Sequence, residues 1–197
     1  MEIKSSVRNY QVQFFARFED ALAKAEQTPN LFTVVDDNVL KLYRAQIERH
    51  LKGPVFPIVA VEENKTYEKT GDYIRQLLEA GIRKNNQLLV IGGGIVQDIG
   101  GFMASVLFRG IEYTLVPTTL LAQCDSCIGS KTSMNIGKYK NQLGTFYPPA
   151  QVLVSTDVLD TLSAGDLKSG LCEALKLAMI ESRPASEKMG EALKSGL

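Results

Sequence analysis

Three consecutive glycines, Gly92, Gly93 and Gly94, with Asp98 four residues further on, are where this 197-residue sequence points most directly to chemistry. Glycine can take backbone dihedrals closed to other residues and can lie against a ligand with no Cβ in the way. Leu88, Val90 and Ile91 precede the glycines as a short apolar run, and helix-forming sequence follows. The turn therefore joins a buried strand to a helix whose first N–H groups are free to meet an anion. A carboxylate at Asp98 suits the positive helix end but would repel a phosphate, so it points to bonds accepted from the uncharged groups of a nucleotide. The standard dinucleotide fingerprint needs glycine at its first, third and sixth places, and the sixth place counted from Gly92 is Gln97. The plainer alternative is a tight strand-to-helix turn with an ordinary first-turn aspartate.

Four basic side chains, Arg109, Lys131, Lys140 and Lys176, fall in the second half of the chain, the middle two amid glycine, serine, threonine and asparagine. They are candidates for phosphate or carboxylate contacts, each weighed against a solvated surface position. Asp125 sits between them and could orient a substrate hydroxyl or cap a short helix. Glu173 and Lys176 share one face of a predicted helix, as an exposed ion pair or, because apolar residues flank Glu173, as a buried carboxylate for which a metal would serve as partner. His50, the one histidine, ends a predicted helix and is expected to meet its last carbonyls rather than a metal. Cys124 and Cys127 form a Cys-x-x-Cys with no second pair, and with Cys172 they make an odd number; reduced thiols are expected.

These groups need a frame, and the hydrophobic pattern supplies one. Residues 1–15 alternate loosely, as in a hairpin or two edge strands, and 18–26 read as a helix. Strands at 31–35, 56–61, 88–91 and 111–116 alternate with helices at 39–51, 67–80 (stopped by Gly81) and from 95 onward. Such alternation predicts an α/β fold, a mainly parallel sheet covered on both faces, whose ligands bind beyond the carboxyl ends of the strands. The turns at 36–38, 62–65, 92–98 and 117–125 all fall on that edge. Residues 118–149 are small and polar and predict a long functional loop with a short helix at 119–124. A last strand at 151–155, a turn at 157–162 and a helix at 164–180, with apolar Leu167, Leu171, Leu175, Ala178 and Met179, complete the pattern.

Lys plus Arg number 22 and so do Asp plus Glu, which argues against nucleic acid or an anionic membrane as partner and makes any anion binding local. No apolar run approaches the roughly 20 residues that span a bilayer, and no charged-then-apolar leader is present, so a cytoplasmic location is expected.

The segments IGGGIVQDIGGF, FRG, VPTTLLAQCDSCIGSKTSMN, YKNQLGTFYPP and SGLCEALKLAMI resemble, in order and spacing, the 3-dehydroquinate synthase family and its sugar-phosphate cyclase relatives. The resemblance is strongest over about residues 88–182 and reaches back to residue 31. It implies a carbon–oxygen lyase of aromatic amino acid biosynthesis that uses NAD transiently and Zn2+ or another divalent metal. The substrate would be a phosphorylated heptulosonate, a sugar acid from which phosphate is eliminated as the ring is remade as a carbocycle. A Rossmann-like NAD-binding domain is implied over 1–162, and the beginning of an α-helical metal and substrate domain over 163–197. Carried over position by position, Gly93, Gly94, Ile95, Val96, Gln97 and Asp98 hold the pyrophosphate and ribose, and Asp36, Asn38, Glu62 and Lys65 lie near the adenosine end. Thr118, Thr119 and Thr161 complete the cofactor site. Asp125, Lys131, Lys140, Asn141 and Lys176 line the nicotinamide and substrate region, Arg109 reaches across a homodimer interface toward the substrate phosphate, and Glu173 is the first metal ligand.

Gln97 and Ser130 stand where the family commonly has glycine, IGKYKN replaces the usual segment before Lys-Asn, and Cys124 and Cys127 occupy small-residue positions. These departures bear on the substrate rather than the nucleotide. The family's other two metal ligands are histidines, and none follows Glu173; the chain is expected to be part of a longer enzyme or a shortened copy. Three alternatives stay open: a cyclase for a different sugar phosphate, a metal-dependent polyol dehydrogenase, and a catalytically incomplete NAD-binding domain.

Overall fold

A computed structural model describes residues 1–195. In chain order its elements are β1 (Glu2–Ile3), β2 (Tyr10–Phe15), α1 (Phe18–Glu26), β3 (Leu31–Asp36), α2 (Asp37–His50), β4 (Val55–Ile58), α3 (Tyr67–Glu79), β5 (Gln87–Gly92), α4 (Gly94–Val106), β6 (Tyr113–Pro117), β7 (Lys131–Ile136), β8 (Tyr139–Phe146), β9 (Gln151–Ser155), α5 (Ala164–Glu181) and α6 (Arg183–Lys194). Seven strands make one sheet in the order β1-β2-β9-β6-β5-β3-β4, parallel throughout except for β1 at the edge. β7 and β8 form a separate antiparallel hairpin.

The central strand shows how the sequence specifies the layers. Leu88 and Val90 of β5 join the core on one face, with Val96, Ile99 and Met103 of α4, while Leu89 and Ile91 join the other, with Phe18, Leu22 and Ile47 of α1 and α2. A strand buried on both faces has to be apolar at every position, which is why this stretch is a continuous run rather than an alternation. Gly100 lets α4 settle onto that strand, since a Cβ there would come within 2.6 Å of Val90. All parallel strands end on the same rim, so the turns after β3, β4, β5, β6 and β9 gather there.

Three expectations are corrected. Residues 118–149 are not one long loop: Lys131–Ile136 and Tyr139–Phe146 pair as a hairpin closed by Gly137, whose φ of 54° suits glycine at the first position of a two-residue turn. The short helix expected at 119–124 is present over residues 120–126, its latter part, Ala122–Ser126, wound as a π turn. α5 does not present a buried apolar stripe, for Gly170 is its one buried residue while Met179 and Ile180 are 72% and 74% exposed. His50 does not meet the last carbonyls of α2. Its Nδ1 lies 2.8 Å from the Glu26 carboxylate on α1, and Lys52 Nζ donates to the Glu48 carbonyl instead, at 2.8 Å.

Candidate functional site

The carboxyl rim of β3, β5 and β6 opens into a cleft of about 490 Å³. Asp36 and Asn38 form one side, Gly93, Gly94 and Ile95 the floor, and Thr118, Thr119 and Thr161 the other side. Eight residues singled out from the sequence thus meet in one cavity. The geometry follows from local rules. Asp36 ends β3 and caps α2, its carboxylate accepting from the Asn38 N–H at 2.9 Å, and desolvation pushes that carboxyl above the usual carboxylate range. α2, α3, α5 and α6 each carry a side-chain cap, whereas α4 starts at Gly93 with none, leaving its first N–H groups to a ligand. A Cβ on Gly93 would stand 3.0 Å from Thr119 Cγ2 and crowd the floor, so the glycine keeps that part of the cleft open. Val96 faces inward and is fully buried, so its backbone alone is on offer. Leu42, Tyr43, Val158 and Asp166 also line the cleft. The apolar three of these come from the inner edges of α2 and the 157–161 turn, and nothing in their spacing distinguishes them from ordinary core residues.

Glu62 and Lys65 do not sit with Asp36 and Asn38. They belong to a polar cluster beneath the hairpin. Lys65, 7% exposed, donates to Asp98 at 3.1 Å and to Asn141 Oδ1 at 2.8 Å. Asp98 also accepts from the Ser133 N–H at 2.9 Å and from Ser133 Oγ at 3.0 Å. Burial raises the Asp98 carboxyl above its usual range, and Lys65 and Ser133 oppose that rise. Asn135 donates to Glu62 at 2.9 Å and accepts from the Asn141 N–H at 2.9 Å, and Asn141 holds a left-handed φ of 56°. Lys140, 74% exposed, lies 4.0 Å from Glu62. Asp98 therefore takes part in pinning β7 to α4 and to the turn after β4. Ser133 and Asn135 escaped the sequence reading because the hairpin that delivers them did.

A second pocket, about 460 Å³, lies on the hairpin side of the glycine turn and is lined by Gln97, Asp98, Asp125, Ser126, Ser130 and Lys131 among others. Gln97 is buried between the two cavities, its amide donating to the Gly92 carbonyl at 3.3 Å and its oxygen accepting from Ser126 Oγ at 2.8 Å. Asp125 and Lys131 are exposed on the pocket wall. Lys176 pairs with Glu173 three residues back on α5, and this contact raises the lysine above its usual range. Asp125 and Cys124 lie close enough to Lys176 to contribute to that shift. Burial pushes the Cys127 thiol up to about 12 and also raises Cys124, which donates to the Leu121 and Gly170 carbonyls. Both are held as thiols, against a redox role.

Glu173 is partnered by Lys176, and among the described residues no group of three His, Cys, Asp or Glu side chains gathers to hold a metal. The residues present fit a nucleotide but do not by themselves make a metal centre. Arg109 stands apart from both cavities. It follows α4, whose 13 residues span about 20 Å from the glycine turn, so it projects at the opposite rim. Phe108 and Arg109 both hold left-handed backbone, with φ of 49° and 60°.

A family model described as 3-dehydroquinate synthase N-terminal matches residues 55–169. A 3-dehydroquinate synthase of Caldanaerobacter subterraneus subsp. tengcongensis is 36% identical over 182 residues, 88% of this chain and 51% of the relative. Among solved structures, a 2-epi-5-epi-valiolone synthase from Streptomyces hygroscopicus subsp. jinggangensis with NAD+ and Zn2+ bound superposes with a TM-score of 0.80 at 31% identity, over 88% of this chain and 50% of that one. A 2-deoxy-scyllo-inosose synthase, solved with carbaglucose-6-phosphate, NAD+ and Co2+, shares the fold at a TM-score of 0.77 and 24% identity, over 89% and 51% of the two chains. The chain spans about half the length of the relatives it matches.

Proposed function

Because the chain belongs to the 3-dehydroquinate synthase family, we propose that it forms the NAD-binding portion of a cytoplasmic lyase that converts a phosphorylated sugar acid to a carbocycle with loss of phosphate. The observation that carries this reading is the convergence of Asp36, Asn38, Gly93, Gly94, Ile95, Thr118, Thr119 and Thr161 on one cleft at the uncapped start of α4. NAD bound there would supply hydride-transfer chemistry. The free N–H groups of Gly94 and Ile95 hold the diphosphate, and Asp36, which ends the strand beside β5, accepts from ribose hydroxyls. Lys131, Asp125 and Lys176, around the second pocket, meet the substrate, with the lysines on its anionic groups and Asp125 on a hydroxyl. The domain division falls at 162/163, where the sheet's last turn gives way to α5.

Arg109 lies at the far rim and cannot serve the cleft of its own subunit, which supports a homodimer in which it serves the partner's. Glu173, tied to Lys176 and lacking companions among the described residues, supports a second reading for these residues taken alone: a domain that binds NAD but does not hold zinc tightly. Calorimetric titration with NAD tests the first claim, and phosphate release from the phosphorylated heptulosonate with added zinc separates the two readings. NAD binding without turnover favours the second, turnover excludes it, and no NAD binding refutes both.

A further inference from the structure

Two strands that flank the cleft part company near their ends. β6 and β9 pair only at Thr114 with Gln151 and Leu115 with Val152, whereas β5 follows β6 as far as Gly92 and Pro117, and β2 follows β9 as far as Phe15 and Ser155. Pro117 has no N–H to offer across the gap, so a rung of the ladder is lost there. The side-chain amide of Gln123 takes its place. Its Nε2 donates to the Pro117 carbonyl at 3.2 Å and to the Ser155 carbonyl at 2.7 Å, using both of its hydrogens. Gln123 is itself fixed by the π turn, its N–H donating to the Thr119 carbonyl at 2.9 Å and its carbonyl accepting from Cys127 Sγ at 3.5 Å. The two carbonyls it joins lead into two segments that share one side of the cleft: Thr118 and Thr119 directly follow Pro117, while Val158 and Thr161 lie three and six residues beyond Ser155.

We propose that Gln123 is a positioning residue that holds the two segments of one side of the nucleotide cleft in register, its amide standing in for the missing rung between β6 and β9. The inference rests on the reading of that cleft as an NAD site. Gln123 lies outside the cleft lining, so it acts through that side of the cleft and not by touching the ligand.

The test is calorimetric NAD titration of this chain and of Gln123→Met and Gln123→Lys, at 0.5 M salt to screen the added charge. Methionine keeps the volume and removes both donors; lysine keeps donors and adds charge. Positioning by donation predicts NAD binding about tenfold weaker in Gln123→Met and within about threefold of the parent in Gln123→Lys. The reverse order, methionine tolerated and lysine not, means that Gln123 merely fills space and overturns the proposal, as does equal binding by all three. Should Gln123→Met fail to fold, Gln123→Asn, one methylene too short to reach both carbonyls, makes the same comparison. If the parent chain binds no NAD, the cleft assignment falls and this inference with it; if the parent binds and the variants do not separate, this inference alone fails.

Discussion

The two cavities of this molecule are built in opposite ways. The cleft at the carboxyl rim is made largely of backbone, with a glycine floor, a helix start that has no side-chain cap and the ends of strands, and few charged groups face in. The second pocket and its surroundings are made of side chains, and several of the charged ones answer one another: Lys65 to Asp98, Lys176 to Glu173, Lys140 toward Glu62, while Asp125 and Lys131 stand exposed on the pocket wall. A site made of backbone is complete once the sheet folds. A site made of opposed charges holds its groups in mutual pairs that a substrate has to displace, so its ligand preference depends on how tightly each pair is held.

Substitutions should separate the two regions. The largest effect is expected from Gly93→Val, which puts methyl groups where Thr119 already stands. NAD affinity should fall on the order of 100-fold, about 2.8 kcal/mol, with the fold intact, as read by calorimetry and circular dichroism. Next comes Lys65→Met, which leaves the largely buried Asp98 carboxylate without its cation and should cost about 2 kcal/mol of stability at neutral pH with little direct effect on the cleft.

The sign of its pH dependence follows from Asp98. A carboxyl raised above its unfolded value of about 3.9 holds its proton more tightly when folded, so stability falls as pH rises through the window between the unfolded and folded values. Removing Lys65 moves the upper end of that window higher. The deficit of Lys65→Met should therefore be small in acid, where Asp98 is protonated, and full near neutrality; urea melts at several pH values read it directly. A deficit that grew on acidification would contradict the pairing.

Asp36→Ala removes a helix cap and a cleft wall together, and should lower stability by about 1 kcal/mol and NAD affinity by about tenfold. The smallest structural effect is expected from Lys176→Ala, whose exposed pair should leave the melting temperature unchanged while weakening capture of a phosphorylated ligand.

The same contrast explains what the sequence made legible. The sheet could be read because β5 and its neighbours are apolar at most positions, and the cleft because glycines, Asp36 and paired threonines fall at or just after strand ends. The hairpin was hidden by its composition: Thr132 and Met134 alternate inward, but Gly129, Gly137, Gly144 and the serines and asparagines around them read as loop. With it went the partners of Lys65 and Asp98, which lie 33 residues apart in the chain and meet only in the folded sheet. The apolar positions of α5 were legible but their exposure was not, because periodicity reports that a face is apolar, not what covers it.

Protection of backbone amides on adding NAD tests the central claim most directly. The account predicts slowed hydrogen exchange at Gly94 and Ile95, after Asp36 and at Thr118 and Thr119, with the far rim around Arg109 unchanged. Saturating NAD that leaves those amides untouched, or protects the far rim instead, would contradict it.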